Sequence, residues 1–188
     1  FCETNYFSVS DMEKVIEAGS KYGLKPKVHV NQFTSIGGIQ KAVEWDAISV
    51  DHLEVMNKND FKALKNSNTI ATLLPSCSFF IDIPFAPARK LIQQDIPFAL
   101  GTDYNPGSSP NGNMNLVNSL ATIKMKISTE AAINASTING AYAMEISNLA
   151  LSWLSEVNYW LFTGGLGIYW FMKKFPKVIR RLKEQSVA

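Results

Sequence analysis

Two histidines and an aspartate are the residues of this sequence best suited to chemistry. His29 and His52 are its only histidines, and each follows a short apolar run: Val28-His29-Val30, and Ala47–Val50 ahead of Asp51-His52. Asp103 stands where the apolar run Ile96–Leu100 gives way to Gly-Thr-Asp-Tyr-Asn-Pro-Gly-Ser-Ser-Pro, a loop too rich in Gly, Pro, Asn and Ser for helix or strand. A carboxylate at the end of a buried strand is poorly solvated and needs a metal, a cation or several N–H donors. A neutral imidazole nitrogen is available near pH 7 as a ligand or proton carrier. A His and an Asp that converge at strand ends can share a divalent metal such as Zn²⁺, which lowers the pKa of bound water. Backbone N–H groups and hydroxyls after Asp103 could hold an anion. Two protein ligands are fewer than a catalytic metal site uses, so part of the site is expected elsewhere.

The elements that must position these residues follow a strand–helix rhythm. Phe1–Phe7 is a short apolar-aromatic piece, in which Glu3 reads equally as a strand-end carboxylate or a turn residue. Ser8 or Ser10 can cap a helix, with Asp11 and Glu13 at its positive end, Val15, Ile16, Ala18 and Tyr22 inward, and Gly23 as the stop. Strands are expected over Lys25–Val30, Ala47–Val50, Thr69–Leu74 and Pro97–Thr102. Helices are expected from Gly37-Gly38 to about Trp45, over Lys58–Lys65 and Ala88–Gln94, and over Met114–Met125 and Thr129–Ile146. Pro75 reads as a strand stop. The strands are mostly apolar throughout, as in a parallel sheet covered on both faces, and the chain is predicted to be α/β. The polar residues fall just after strands, where such folds place their sites. No glycine-rich phosphate fingerprint follows the first strand, which argues against a dinucleotide-binding fold.

Composition narrows the function classes. The chain has 188 residues, enough for one sizeable core, and a net charge of +2. No basic stripe with interleaved aromatics precedes the tail, so no nucleic-acid partner is expected. Cys2 and Cys77 make no disulfide framework and read as reduced thiols of a cytoplasmic protein, with Cys77 most simply a packed loop residue. Met114, Met125 and Met144 read as core. The chain opens Phe-Cys-Glu-Thr, with no Met and no basic-then-apolar leader, so it is expected to be a segment of something longer or a processed chain.

Three stretches, V-H-V-N-Q-F-x-x-x-G-G, S-V-D-H-L-E and G-T-D-Y-N-P-G-S-S-P, closely resemble the imidazolonepropionase family of the metal-dependent amidohydrolase superfamily. The similarity runs from Phe1 to about Ser147. It implies a partial (β/α)₈ TIM barrel, about strands five to eight with their helices, over residues 1–147. It also implies hydrolytic opening of 4-imidazolone-5-propanoate to N-formimidoyl-L-glutamate in histidine degradation. By motif match, His29 and Asp103 would be metal ligands to one Zn²⁺ or Fe²⁺, and Asp103 would also take the proton from the attacking water. His52 would polarise the carbonyl or move protons. Gln32 stands where some relatives have Glu; its amide can hydrogen-bond the ring but cannot act as a base. Asn105, Gly107 and Ser108 would bind the substrate and its carboxylate. A full-length enzyme would be a homodimer. The family's H-x-H pair and other substrate contacts would lie upstream of Phe1, so the isolated chain is expected to have little or no activity. The competing readings are another cyclic-amide amidohydrolase, or a non-catalytic half-barrel remnant with a membrane-associated tail.

Residues 148–188 depart from the family pattern. Leu149–Met172 is apolar and aromatic with Glu156 its only charge, and Lys173, Lys174, Lys177, Arg180, Arg181 and Lys183 follow. About 20 apolar residues can cross a bilayer, and flanking cations with interfacial Trp and Tyr suit such a helix. The alternatives are a buried helix–turn–helix broken at Gly164-Gly165, an amphipathic basic helix, or a frameshifted or fused end. The membrane reading predicts that the purified chain needs detergent and that removing residues 149–188 relieves the need. A monodisperse chain without detergent, no more soluble after the deletion, would end it.

Overall fold

A computed structural model describes Phe1–Ile146. The expected apolar tail, Leu149–Met172, lies outside the described residues. Four parallel strands, β1 (Lys27–Val30), β2 (Ser49–His52), β3 (Ile70–Leu73) and β4 (Phe98–Leu100), lie side by side in sequence order. Such neighbours need a crossover each, and every crossover carries helix: α2 (Gly38–Glu44), α3 (Lys58–Lys65), then α4 (Pro75–Phe80) and α5 (Ala88–Gln93). The helix α1 (Val9–Ser20) precedes the sheet. α6 (Met114–Ile123), α7 (Thr129–Ser136) and α8 (Ile138–Tyr142) follow it. Cys2 adds a single parallel bridge to Val30.

The pleat sorts side chains to two faces. Val28, Val30, Val50, Ala71, Leu73, Phe98 and Leu100 are buried in one core with Ile39 and Ala42 of α2, Phe61 and Leu64 of α3, Leu91 of α5 and Val117 of α6. The alternate residues Lys27, His29, Ser49, Asp51 and Thr72 make a polar row, in which Lys27 Nζ donates to Ser49 Oγ (2.6 Å) and Ser49 Oγ to Asp51 (2.7 Å). The register pairs His29 with Asp51 and Asp51 with Thr72. Gly38 lets α2 approach the sheet: a Cβ there would stand 2.8 Å from Val30 Cγ1 and 3.1 Å from Cys2 Sγ.

Several boundaries differ from the sequence expectation, each for a local reason. Pro75 opens α4 instead of ending structure, because the first helical position needs no N–H and already suits the fixed φ of proline. β2 starts at Ser49 and carries His52 as its last residue. The last long helix breaks at Thr137 (φ −119°, ψ −82°). In α1 the inward face is Met12 and Ile16, one turn apart, while Val15 and Tyr22 are exposed. Gly23, with φ +71°, turns the chain after α1 has ended at Ser20. Met125 is buried, whereas Met144 is exposed. Among the described residues no helix is long and apolar enough to cross a membrane.

Asp60 fastens the loop after β1 to the start of α3. Fully buried, it accepts from Asn31 Nδ2 (3.1 Å), Ser35 Oγ (2.9 Å), Gln40 Nε2 (2.8 Å) and Asn57 N (2.8 Å), and it closes a capping box with Asn57. Asp60→Ala would leave those donors without an acceptor and is expected to cost about 3 kcal/mol, read as a lower urea midpoint at unchanged slope.

Candidate active site

Backbone conformation leaves the pleat where three of the four strands end. Asn31 (φ 57°), His52 (φ 90°), Leu53 (φ 69°) and Asp103 (φ 51°) are all in the left-handed half of φ space. Asn, Asp and His are the side chains met there most often, while a leucine there is strained, and such strain persists only where surrounding contacts over-determine it. In a regular pleat His52, one residue past Asp51, would face away from His29. Instead the two imidazole centroids lie 4.2 Å apart. His52 Nε2 is 3.9 Å from Asp103 Oδ2, and His52 Nδ1 is 3.5 Å from Glu54 Oε1. Strand-end placement thus gathers His29, His52 and Asp103.

Gln32 joins through Cys77, expected only as a packed loop residue. Its Nε2 donates to Cys77 Sγ at 3.3 Å. Cys77 is a fully buried residue of α4, and one donor atom each from His52, Cys77 and Asp103 lie within 4.8 Å of one another. His29 is not a member of that triad, although its ring packs on His52. The signal for Cys77 was its position: it follows β3 as His29, His52 and Asp103 close or follow the other strands.

Asn105, Gly107 and Ser108 form a tight turn beside Asp103. Asn105 Nδ2 donates to Asp103 O (2.7 Å) and Ser108 Oγ (2.9 Å), and Ser108 Oγ reaches Asp103 Oδ2 at 3.4 Å. Asn105 Oδ1 accepts from the Gly107 N–H (2.9 Å) and the Ser108 N–H (2.8 Å). The two N–H groups expected to meet an anion are therefore engaged within the loop.

Glu3 resolves to a buried anchor, 1% exposed. Its Oε1 accepts from Gln32 N (2.5 Å) and Phe33 N (3.3 Å), and its Oε2 from Thr34 N (2.9 Å) and Thr34 Oγ1 (2.6 Å). It thereby sets the turn that presents Gln32. Glu54 is also buried and accepts from Ser78 Oγ (2.8 Å). It stands two residues after His52 in D-H-L-E, a spacing that could have flagged it.

The two imidazoles are driven in opposite directions. Burial, with the positive charge of His52 beside it, pushes His29 down to about 3. Burial works against the charged form of His52 too, but contacts with Cys77 and Glu54 and the charges of Glu54 and Asp103 outweigh it and raise His52 to about 9. His29 is thus neutral at pH 7, and its buried Nε2 has no hydrogen-bond partner among the described residues. An uncharged imidazole with an unused nitrogen, its ring packed on His52, is suited to hold a divalent metal.

No family model matches the chain. Curated relatives do. It is 60% identical over 147 residues to an imidazolonepropionase of Flavobacterium johnsoniae, and 62% identical over 147 residues to that of Flavobacterium psychrophilum; each match covers 78% of this chain and 36% of the relative. The chain is homologous to imidazolonepropionase. It spans about a third of the length of the imidazolonepropionases it matches. More distant imidazolonepropionases align over the same share, at 43% identity in Thermoanaerobacter pseudethanolicus. Among solved structures, an adenosine deaminase from Xanthomonas campestris with bound zinc matches with TM-score 0.61 at 16% identity, over 72% of this chain and 36% of that one. A guanine deaminase from C. acetobutylicum gives 0.59 at 16% identity, over 73% and 39%. At those identities the likeness speaks for the fold alone, a parallel α/β section.

Glu3→Gln replaces an acceptor-only carboxylate by a group with one acceptor oxygen facing four donors. It is expected to lower stability by about 1–3 kcal/mol, measured by urea unfolding, with wild-type secondary structure retained in the far ultraviolet.

Proposed function

We propose that the chain carries the carboxyl-terminal half of the barrel, about strands five to eight, of a hydrolase that opens 4-imidazolone-5-propanoate to N-formimidoyl-L-glutamate in histidine breakdown. The observation that carries this reading is the meeting of His29, His52 and Asp103 at the ends of parallel strands, in a chain up to 62% identical to imidazolonepropionases. His29 and Asp103 would hold one Zn²⁺ or Fe²⁺, with further ligands from residues outside this chain. When bound, the ion supplies Lewis acidity at neutral pH.

The remaining work falls to named side chains. Asp103 takes the proton from the attacking water at its carboxylate. His52, held in its charged form, donates a hydrogen bond to the ring carbonyl and stabilises the negative charge that grows there. Gln32 orients the ring through its amide and, lacking a titratable proton, takes no part as a base. Asn105, Gly107 and Ser108 face the substrate's carboxylate. Asn105 Oδ1 already holds two N–H groups of the loop, and the Ser108 hydroxyl, 3.1 Å from Asn105 Oδ1 and 3.4 Å from Asp103, would turn from these to meet that carboxylate. The whole enzyme would be a cytoplasmic homodimer acting on this small molecule, with no nucleic-acid partner.

Because this chain supplies few ligands, it is expected to turn over little or no substrate by itself. A chimera tests the assignment: Phe1–Ser147 replaces the matching stretch of the Flavobacterium johnsoniae relative. The chimera is expected to form N-formimidoyl-L-glutamate, and Asp103→Asn within it to lower the rate by about 10²–10⁴-fold. A folded chimera with no turnover, or turnover indifferent to Asp103→Asn, would refute the reading.

A further inference from the structure

We propose that His52, Cys77 and Asp103 form a binding site for a thiophilic divalent cation, Zn²⁺ or Cd²⁺, that this chain assembles by itself. The donors are an imidazole nitrogen, a thiol sulfur and a carboxylate oxygen, all within 4.8 Å of one another. One ion at ordinary ligand distances, about 2.0–2.3 Å, can touch three atoms so spaced with small side-chain adjustments.

Three observations point to a ligand. The His52 side chain is 5% exposed; its Nδ1 stands 3.5 Å from Glu54 Oε1 without a hydrogen bond, and its Nε2 faces Asp103 Oδ2 at 3.9 Å. His52 is held in a left-handed backbone that turns its ring out of the pleat toward the cluster. Cys77, fully buried, receives a hydrogen bond from Gln32 Nε2 at 3.3 Å. That amide donor would stabilise a thiolate; a glutamate at the same position would repel it. Gln32 and Cys77 are therefore a matched pair, donor against sulfur, of the kind that supports a metal ligand from behind.

Thiolate selects for soft and borderline ions over Mg²⁺ or Ca²⁺. Three protein donors leave a fourth tetrahedral position open. Binding displaces the thiol proton of Cys77 and the proton on His52, both to solvent, with no change of oxidation state. The site shares Asp103 and His52 with the proposed hydrolytic centre but uses a different donor set, sulfur included. Filling it would take both groups away from catalysis.

X-ray absorption at the zinc edge, on the purified 188-residue chain carrying one equivalent of Zn²⁺, tests the proposal. Expected is a sulfur scatterer at about 2.3 Å beside nitrogen and oxygen at about 2.0–2.2 Å. The sulfur shell should persist in Cys2→Ala, in which Cys77 is the one cysteine left, and vanish in Cys77→Ser with at least about tenfold weaker zinc binding. Gln32→Glu is expected to weaken zinc binding as well. Zinc held by nitrogen and oxygen alone would overturn this site while leaving the hydrolase reading standing. No retained zinc, or a sulfur shell lost with Cys2→Ala, would overturn it too. Should Cys77→Ser fail to fold, the Cys2→Ala spectrum decides alone.

Discussion

Buried carboxylates are the constraint on which this structure turns. Glu3, Glu54 and Asp60 are at most 8% exposed, and an unpaired charge so placed would cost several kcal/mol. Two are met by donors from another stretch of chain: Glu3 by the backbone of Gln32, Phe33 and Thr34, Asp60 by Asn31, Ser35, Gln40 and Asn57. The loop between β1 and α2 is therefore held from both sides, by Glu3 before the sheet and Asp60 after β2. It has little freedom to let Gln32 wander. Glu54 does the same at the end of β2, with Ser78 of α4 on one side and His52 on the other. The framework of the site is thus ionic and hydrogen-bonded at the strand ends, and apolar beneath the sheet.

The order of elements was legible in the sequence because apolar residues recur in each strand, although only β4 is buried throughout while β1, β2 and β3 alternate core residues with the polar row; the helix expected over Lys58–Lys65 is α3. What was not legible shares a cause. Pro75 reads as a stop in one dimension, and only the direction in which the chain leaves β3 turns it into the first residue of α4. That helix is what buries Cys77 against Gln32 and His52; without it Cys77 looks like a packed loop residue. The positive φ at His52 is likewise silent in the sequence, since D-H-L-E carries no glycine to announce it. The roles of Glu3 and Asp60 depend on partners more than 20 residues away, which no local pattern reveals.

The loop after Asp103 shows the same limit. Its composition suggested free N–H groups, and composition cannot say whether Asn105 Oδ1 will take them. It does, in a turn closed by Ser109 Oγ on the Thr102 carbonyl at 2.6 Å. The outcome is a rigid turn that fixes Asp103 from behind, with a hydroxyl, not an amide nest, nearest its carboxylate.

The two histidines carry the argument furthest. Their rings are 4.2 Å apart, so both cannot be charged without repulsion in a poorly solvated place. Carboxylates decide which one keeps the proton. Glu54 and Asp103 flank His52. Glu3 Oε1 also comes within 3.9 Å of His29 Nε2, but its charge is already engaged by backbone N–H groups. His29 therefore loses the contest and keeps a lone pair, while His52 holds a proton. Chemically identical residues acquire opposite capacities, one to give electrons and one to give a hydrogen bond, from neighbours that lie elsewhere in the chain. The parallel register that sets His29 beside Asp51, with His52 turned out of the pleat next to it, is what places the two rings side by side.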